Sequence, residues 1–177
     1  MKCASLVLAA ILVVPSGLAL ADGGGSFTVK GTTYPLKSAY AYSAPDPFDH
    51  SKQSTVIVFS ERVIDVKKVG AGSDPLDALD HAVQDRSGDE KRPNRVEVMI
   101  ARDDPKSPVQ QIGYQTDQVT SSASVGSGRY QLVLKKNDAG RIEGTLRTTN
   151  AKDKTSEFGA YVDLHFALDL TLPASDK

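Results

Sequence analysis

The sequence has very little cysteine and no tryptophan, and its positive and negative charges almost cancel. Its 177 residues contain one cysteine, Cys3, and carry a formal net charge of −1 at pH 7. Proteins that bind nucleic acid normally show an excess of basic residues, so this balance argues against a nucleic-acid partner. An aromatic content of 6%, with no tryptophan, argues against a surface that stacks sugar rings.

Long hydrophobic runs are also missing, except near the start of the chain. Lys2 is followed by an uncharged apolar run from Ala4 to Val14, then by Pro15, and Ala19 and Ala21 supply small residues two positions apart. This is the layout of a secretory signal peptide, and the run is shorter than the about 20 residues that span a bilayer. We therefore expect residues 1–21 to be a signal peptide that is cleaved after Ala21.

Cleavage at that point determines which chemistry the mature chain lacks. Cys3 precedes the apolar run and leaves with the signal peptide, so the chain from Asp22 onward has no cysteine. Disulfides, cysteine nucleophiles and thiolate metal sites are then excluded, and the fold depends on its hydrophobic core. The Ala-rich signal is typical of bacteria and predicts a secreted or periplasmic protein with no membrane span in the mature chain.

The mature chain divides into a short lead-in, one domain and a tail. Residues 22–26 are rich in glycine and predict a flexible lead-in, because glycine and serine resist ordering. Residues 27–173 form a single β-rich domain in this interpretation, and residues 174–177 form a tail.

The strongest pattern in the chain lies near its end. Apolar side chains occupy every second position there, at Ala160, Val162, Leu164, Phe166, Leu168, Leu170 and Leu172. Alternation of this kind predicts a β-strand with one face in the core and the other face in water or lining a site.

Weaker patterns predict several more strands. Thr55–Phe59 is apolar on both faces and is typical of a central strand, whereas residues 96–101 alternate and residues 109–115 form a partner strand. Residues 130–134 and 142–146 form a hairpin, in which Gly140 is expected to supply a positive φ. We also expect a turn at Lys30-Gly31-Thr32 and a long loop or a mobile segment at residues 116–128.

One segment has the signals of a helix. Asp74 is a suitable N-cap, Pro75 suits the first helical position, and Leu76, Leu79 and Val83 form an apolar stripe. The sequence therefore predicts a mainly β protein, an antiparallel β-sandwich or open barrel, with one covering helix at residues ~75–85. A closed up-and-down barrel is the main alternative.

Recognisable catalytic motifs are absent from the sequence. Neither a phosphate-binding glycine loop nor a Gly-x-Ser-x-Gly elbow occurs, and no two histidines are spaced as in a helical zinc site. The sequence predicts no cofactor and favours a role other than catalysis, although it leaves an enzyme open.

Two groups of residues are the candidate sites. Tyr161, Asp163 and His165 share the non-core face of the last strand, where they form a ligand-binding cluster if that face lines a cavity and ordinary surface residues if it meets solvent. Asp46, Asp49 and His50 lie together in a proline-rich loop, where their oxygen and nitrogen atoms suit a divalent metal ion. The alternative for the loop is a turn formed by aspartates.

These observations favour an exported, non-enzymatic binding or structural module of the cell envelope, whose partner is a protein or a small molecule. A lipocalin-like carrier with an interior cup is one alternative. A hydrolase that uses His50 or His165 with a neighbouring aspartate is the other.

Overall fold

The computed structural model describes residues 22–63, 93–102, 109–117, 120–124, 129–150 and 161–171. These residues form ten β-strands and no helix, so the predicted mainly β class is confirmed. In chain order the strands are β1 (Asp22–Val29), β2 (Thr32–Leu36), β3 (Ser38–Pro45), β4 (Gln53–Ser60), β5 (Arg95–Ala101), β6 (Val109–Gln115), β7 (Thr120–Ser124), β8 (Tyr130–Asn137), β9 (Arg141–Thr148) and β10 (Tyr161–Thr171).

The predicted covering helix at residues 75–85 lies outside the described residues. Within the part of the chain that the structure describes, nothing has the helical length and apolar character needed to cross a membrane.

β10 joins the two halves of the sheet because it pairs with three other strands. Along most of its length β9 lies on one side and β1 on the other, both antiparallel. Asp22 of β1 pairs with Ala167, and beyond that point Leu170 and Thr171 pair in parallel with Ala41 and Tyr42 of β3. A strand of 11 residues is thus long enough to exchange one neighbour for another.

The complete sheet is curled and open. It runs from β8 through β9 and β10 to β3, and on through β4, β5 and β6 to β7, while β1 and β2 form a side branch. The β10–β3 contact is parallel, whereas the other strand pairs among the described residues are antiparallel, as the alternation predicted. The result is an open half-barrel, whose ends β7 and β8 are not paired with each other in the described residues.

The inner face of this half-barrel holds the main hydrophobic core. Val162, Leu164, Phe166 and Leu168 are at most 3% exposed, which confirms the predicted core face of the last strand. The rings of Phe59 and Phe166 meet edge to face with centroids 6.2 Å apart, and this contact links β4 to β10 across the core. Burial of each such side chain contributes about 1.5–3 kcal/mol.

β4 is buried on both faces, as its sequence predicted. Ile57 and Phe59 belong to the main core, whereas Val56 and Val58 point to the outer face and join a second apolar cluster. The two tyrosine rings of that cluster are 6.1 Å apart, and each tyrosine lies opposite a valine of β4. The second cluster consists of Tyr40, Tyr42, Val56 and Val58.

The glycine-rich residues 22–26 are not a flexible lead-in, because they form the first part of β1. A Cβ atom at Gly23 would lie 2.5 Å from the Cβ of Ala39, and Gly25 has a φ of +135°, which side chains disfavour. Glycine is needed here for the close approach of β1 to its neighbours, which its composition alone does not distinguish from flexibility.

Two other local expectations need correction. Residues 116–128 were expected to be a loop, but Thr120–Ser124 form β7 and pair with β6 as the last strand of the path. Gly140 lacks the expected positive φ, because Asp138 forms the turn instead by accepting hydrogen bonds from the backbone of Gly140 and Arg141. The predicted turn at Lys30-Gly31 is confirmed by φ values of 47° and 80°.

Candidate functional site

The predicted ligand cluster on β10 lies on the outer face of the sheet. Tyr161 is half-buried, whereas Asp163 and His165 are exposed. Asp163 accepts a hydrogen bond from Nε of Arg147 on β9 at 2.8 Å, and Nε2 of His165 is 4.0 Å from the Oδ1 of Asp22. The three side chains are neighbours, as predicted, but their ligand-binding role stays a prediction, because exposed ion pairs are common on a solvated sheet face.

The loop between β3 and β4 is organised by Asp46, which is 4% exposed. Its Oδ1 accepts hydrogen bonds from the backbone N–H of Phe48 at 2.8 Å and of Asp49 at 3.0 Å. Its Oδ2 accepts one from the hydroxyl of Ser54 at 3.2 Å and one from the side-chain amide of Gln110. Burial raises the pKa of Asp46, but the four hydrogen bonds together lower it by more, so the pKa lies below its ordinary value.

The other two residues of the predicted metal site are exposed. Asp49 accepts hydrogen bonds from the backbone and hydroxyl of Ser51 and forms an ion pair with Lys52 at 3.4 Å. Among the described residues, no group of three or more His, Cys, Asp or Glu side chains is placed to hold a metal ion. The metal role of Asp46, Asp49 and His50 stays a prediction, and the hydrogen bonds favour the alternative of an aspartate turn.

The structure also reveals a cluster that the sequence analysis missed, which we call the Arg102 cluster. It lies on the inner face at the end of β5, where the backbone N–H of Arg102 donates to the carbonyl of Gln53 at 3.4 Å. Nη2 of Arg102 donates to the hydroxyl of Ser43 at 3.2 Å and to the hydroxyl of Thr55 at 3.5 Å. The Arg102 cluster consists of Ser43, Gln53, Thr55, Arg102 and Asn137.

The hydroxyl groups that accept from Arg102 also donate hydrogen bonds to two side-chain amides. Ser43 donates to Oε1 of Gln53 at 2.9 Å, and Thr55 donates to Oδ1 of Asn137 at 3.4 Å. The second of these contacts crosses from β4 to the end of β8, so the cluster connects the two sides of the half-barrel at one end of the core. Ser43 and Thr55 are 7% and 0% exposed, and they lie opposite each other on adjacent strands.

Within the described residues, no carboxylate is paired with the charge of Arg102. The residue is half-buried, its Nε is buried with no hydrogen-bond partner, and among the described residues no acidic side chain forms an ion pair with it. Arg141 and Arg147, on the outer side, pair with Asp169 and Asp163 at 2.7 and 2.8 Å. The guanidinium of Arg102 therefore keeps hydrogen-bonding capacity that the residues described around it leave unused.

A signal for this cluster is present in the sequence. Val96, Val98 and Ile100 alternate along β5 toward the core, and the same period places Arg102 on the inner face. The alternating pattern recognised in the sequence ends at residue 101, because Asp103-Asp104-Pro105 does not continue it, so Arg102 falls outside the predicted strand.

Comparison with protein-family models, with curated proteins and with solved structures finds no match for this chain. Any assignment of function has to follow from the residues themselves.

Proposed function

We propose that this chain is an exported binding protein of the cell envelope with no catalytic activity of its own. The observation that carries the proposal is the Arg102 cluster, where a half-buried cation with unused hydrogen-bonding capacity lies at one end of a packed half-barrel. A binding protein needs a rigid scaffold with a few fixed polar groups, and Ser43 and Thr55 hold the guanidinium on paired strands.

The arrangement of the histidines supports binding rather than hydrolysis. Within the described residues, neither His50 nor His165 is hydrogen-bonded to another side chain, and both are exposed. General acid–base catalysis needs a base held within hydrogen-bond reach of the group that it serves. The hydrolase alternative therefore has no assembled pair of groups to support it in this part of the chain.

The inner face also favours binding at the end of the half-barrel over binding in an interior cup. Phe27, Phe59 and Phe166 are at most 3% exposed and fill the space between the two sides of the sheet, together with aliphatic residues from β5, β9 and β10. A lipocalin-like carrier keeps such space free for its ligand.

The proposal of export is supported by the order of features in residues 1–21, where an uncharged apolar run is followed by Pro15 and by small residues at Ala19 and Ala21. The chain produced with a C-terminal tag in a bacterium should be recovered outside the cytoplasm with Asp22 as its first residue. An Ala21→Glu variant should keep residues 1–21, because the small residue at the cut is lost.

The binding function is tested by native mass spectrometry of the exported product purified gently from the cell envelope. We expect a mass above that of the chain, from a non-covalent ligand or a partner protein, that disappears after unfolding in urea and refolding in clean buffer. Bare protein in every preparation, together with no partner after chemical cross-linking, would contradict the proposal.

A further inference from the structure

We propose that the Arg102 cluster binds an oxyanion group, a carboxylate or a phosphate, of a small ligand. This inference rests on the proposed binding function and names the chemistry of what is bound. Its first support is that no acidic side chain of the described residues forms an ion pair with Arg102. A guanidinium that is withdrawn from water needs compensation, and the neutral hydroxyls of Ser43 and Thr55 supply only part of it.

The direction of the hydrogen bonds is the second support. The hydroxyls of Ser43 and Thr55 each accept a hydrogen bond from Arg102, so each donates its own proton to another acceptor. Those acceptors are the side-chain amide oxygens of Gln53 and Asn137, which therefore point toward the hydroxyls. Both amide NH₂ groups then face away from the hydroxyls with no bonded partner among the described residues. The cluster thus uses its acceptors internally and leaves donors, which is the requirement of an anion and the opposite of a metal site.

The third support is preorganisation. Nη2 of Arg102 is held by two hydroxyls on paired strands, so the guanidinium has a fixed orientation. Nη1 donates to no acceptor among the described residues, so its N–H groups are left for an oxygen of the ligand. A hydrogen bond from a cationic nitrogen to an anionic oxygen is stronger than one between neutral groups.

Thermal unfolding in matched ionic strength tests the inference. Sodium chloride serves as the reference, and inorganic phosphate and succinate are titrated in separate arms at pH 7 to distinguish the two oxyanions. We expect one or both to raise the Tm saturably, by about 4 °C at a tenfold excess over the dissociation constant. Arg102→Met should remove this rise, and Arg102→Lys should weaken binding at least tenfold, because lysine lacks the planar guanidinium that bonds the two hydroxyls and the oxyanion at the same time.

Two further variants keep the test decisive if Arg102 variants fold poorly. Asn137→Asp places a carboxylate one hydroxyl away from the guanidinium and should raise the Tm in chloride while abolishing the response to added anion. Arg141→Lys is the matched control, since Arg141 is already paired with Asp169, and it should respond as the wild type does.

Three outcomes would overturn the inference. The first is a Tm that does not rise saturably in either arm, and the second is an equal rise in Arg102→Met, which indicates a general salt effect. The third is a silent wild type whose Asp103→Asn, Asp104→Asn double variant responds, since the chain's own acids would then be the counter-charge. A retained ligand without an acidic group would leave the binding function standing while refuting the oxyanion, so the two proposals fail separately.

Discussion

The charged side chains of Asp46 and Arg102 lie near the same end of the sheet, but they differ in how completely they are hydrogen-bonded. Asp46 bonds to Ser54, which shares the outer face of β4 with Val56, whereas Arg102 bonds to Thr55, which shares the inner face with Ile57. The carboxylate accepts four hydrogen bonds, but the guanidinium has an unbonded Nε and no carboxylate partner among the described residues.

The difference separates a structural charge from one that is available to a ligand. The hydrogen bonds of Asp46 are used to hold its own loop and to tie that loop to β4 and β6, so the carboxylate has little capacity for anything else. The Arg102 cluster is also hydrogen-bonded through the buried hydroxyls of Ser43 and Thr55, but Nε of Arg102 has no partner. Substitutions at the two positions should therefore have different consequences.

The largest expected effect comes from Asp46→Ala. Removing the carboxylate leaves backbone and side-chain donors without their acceptor, so the free energy of unfolding should fall by about 3 kcal/mol. Urea unfolding with an unchanged m-value measures this. Asp49→Ala, at an exposed position in the same loop, should cost much less, and similar losses for the two variants would contradict the structural role of Asp46.

The pH dependence of stability sharpens the same point. Because the folded-state pKa of Asp46 lies below its unfolded value, its contribution is complete above the unfolded pKa and is lost as the pH falls through the folded pKa. The stability difference between the wild type and Asp46→Asn should therefore shrink between about pH 5 and pH 2. Asp49 and Asp138, whose pKa values are also lowered, are present in both proteins, so their effects cancel. A difference that stays constant with pH would contradict this.

Arg102→Met should change the free energy of unfolding much less than Asp46→Ala does. In buffer without oxyanions its free energy of unfolding should change by about 1 kcal/mol or less, because no carboxylate is left unpaired and methionine fills similar space. The wild type and the variant are compared by urea unfolding in chloride. A loss as large as that of Asp46→Ala would show that Arg102 already has a full set of partners.

The smallest effect is expected on the outer face of β10. The ion pair of Arg147 and Asp163 joins side chains that are 63% and 50% exposed, so a double-mutant cycle should give a coupling of about 0.5 kcal/mol. Urea unfolding of the four proteins of the cycle provides it. A coupling above about 2 kcal/mol would mean that the polar side chains of this face form a cooperative network, which would favour the predicted ligand-binding cluster of Tyr161, Asp163 and His165.

Sequence patterns succeeded where one face of a strand is buried. The even positions of β10 and the doubly apolar β4 were predictable because burial imposes a period of two on their side chains. They failed at β1 and β7, where glycine, serine and threonine carry no such period. The order of the strands, and the change of partner along β10, depend on contacts between distant segments that no local pattern records.

The candidate site shows the same limit. The aspartates of the loop and the polar face of β10 were found because chemically reactive residues stand close together in the sequence. The Arg102 cluster brings together residues from four strands or strand ends, and Thr55 and Asn137 are 82 positions apart. Alternation places Arg102 on the inner face, but only the three-dimensional structure shows that no acid of the described strands and turns is paired with it.

The availability of the Arg102 guanidinium is tested most directly by NMR of the arginine Nε–H groups during titration with phosphate and with succinate at constant ionic strength. We expect a saturable shift of the Arg102 signal in at least one titration, while the signals of Arg141 and Arg147, already paired, remain almost unchanged. An Arg102 signal that does not move, or that moves only in step with the other arginines, would contradict this expectation.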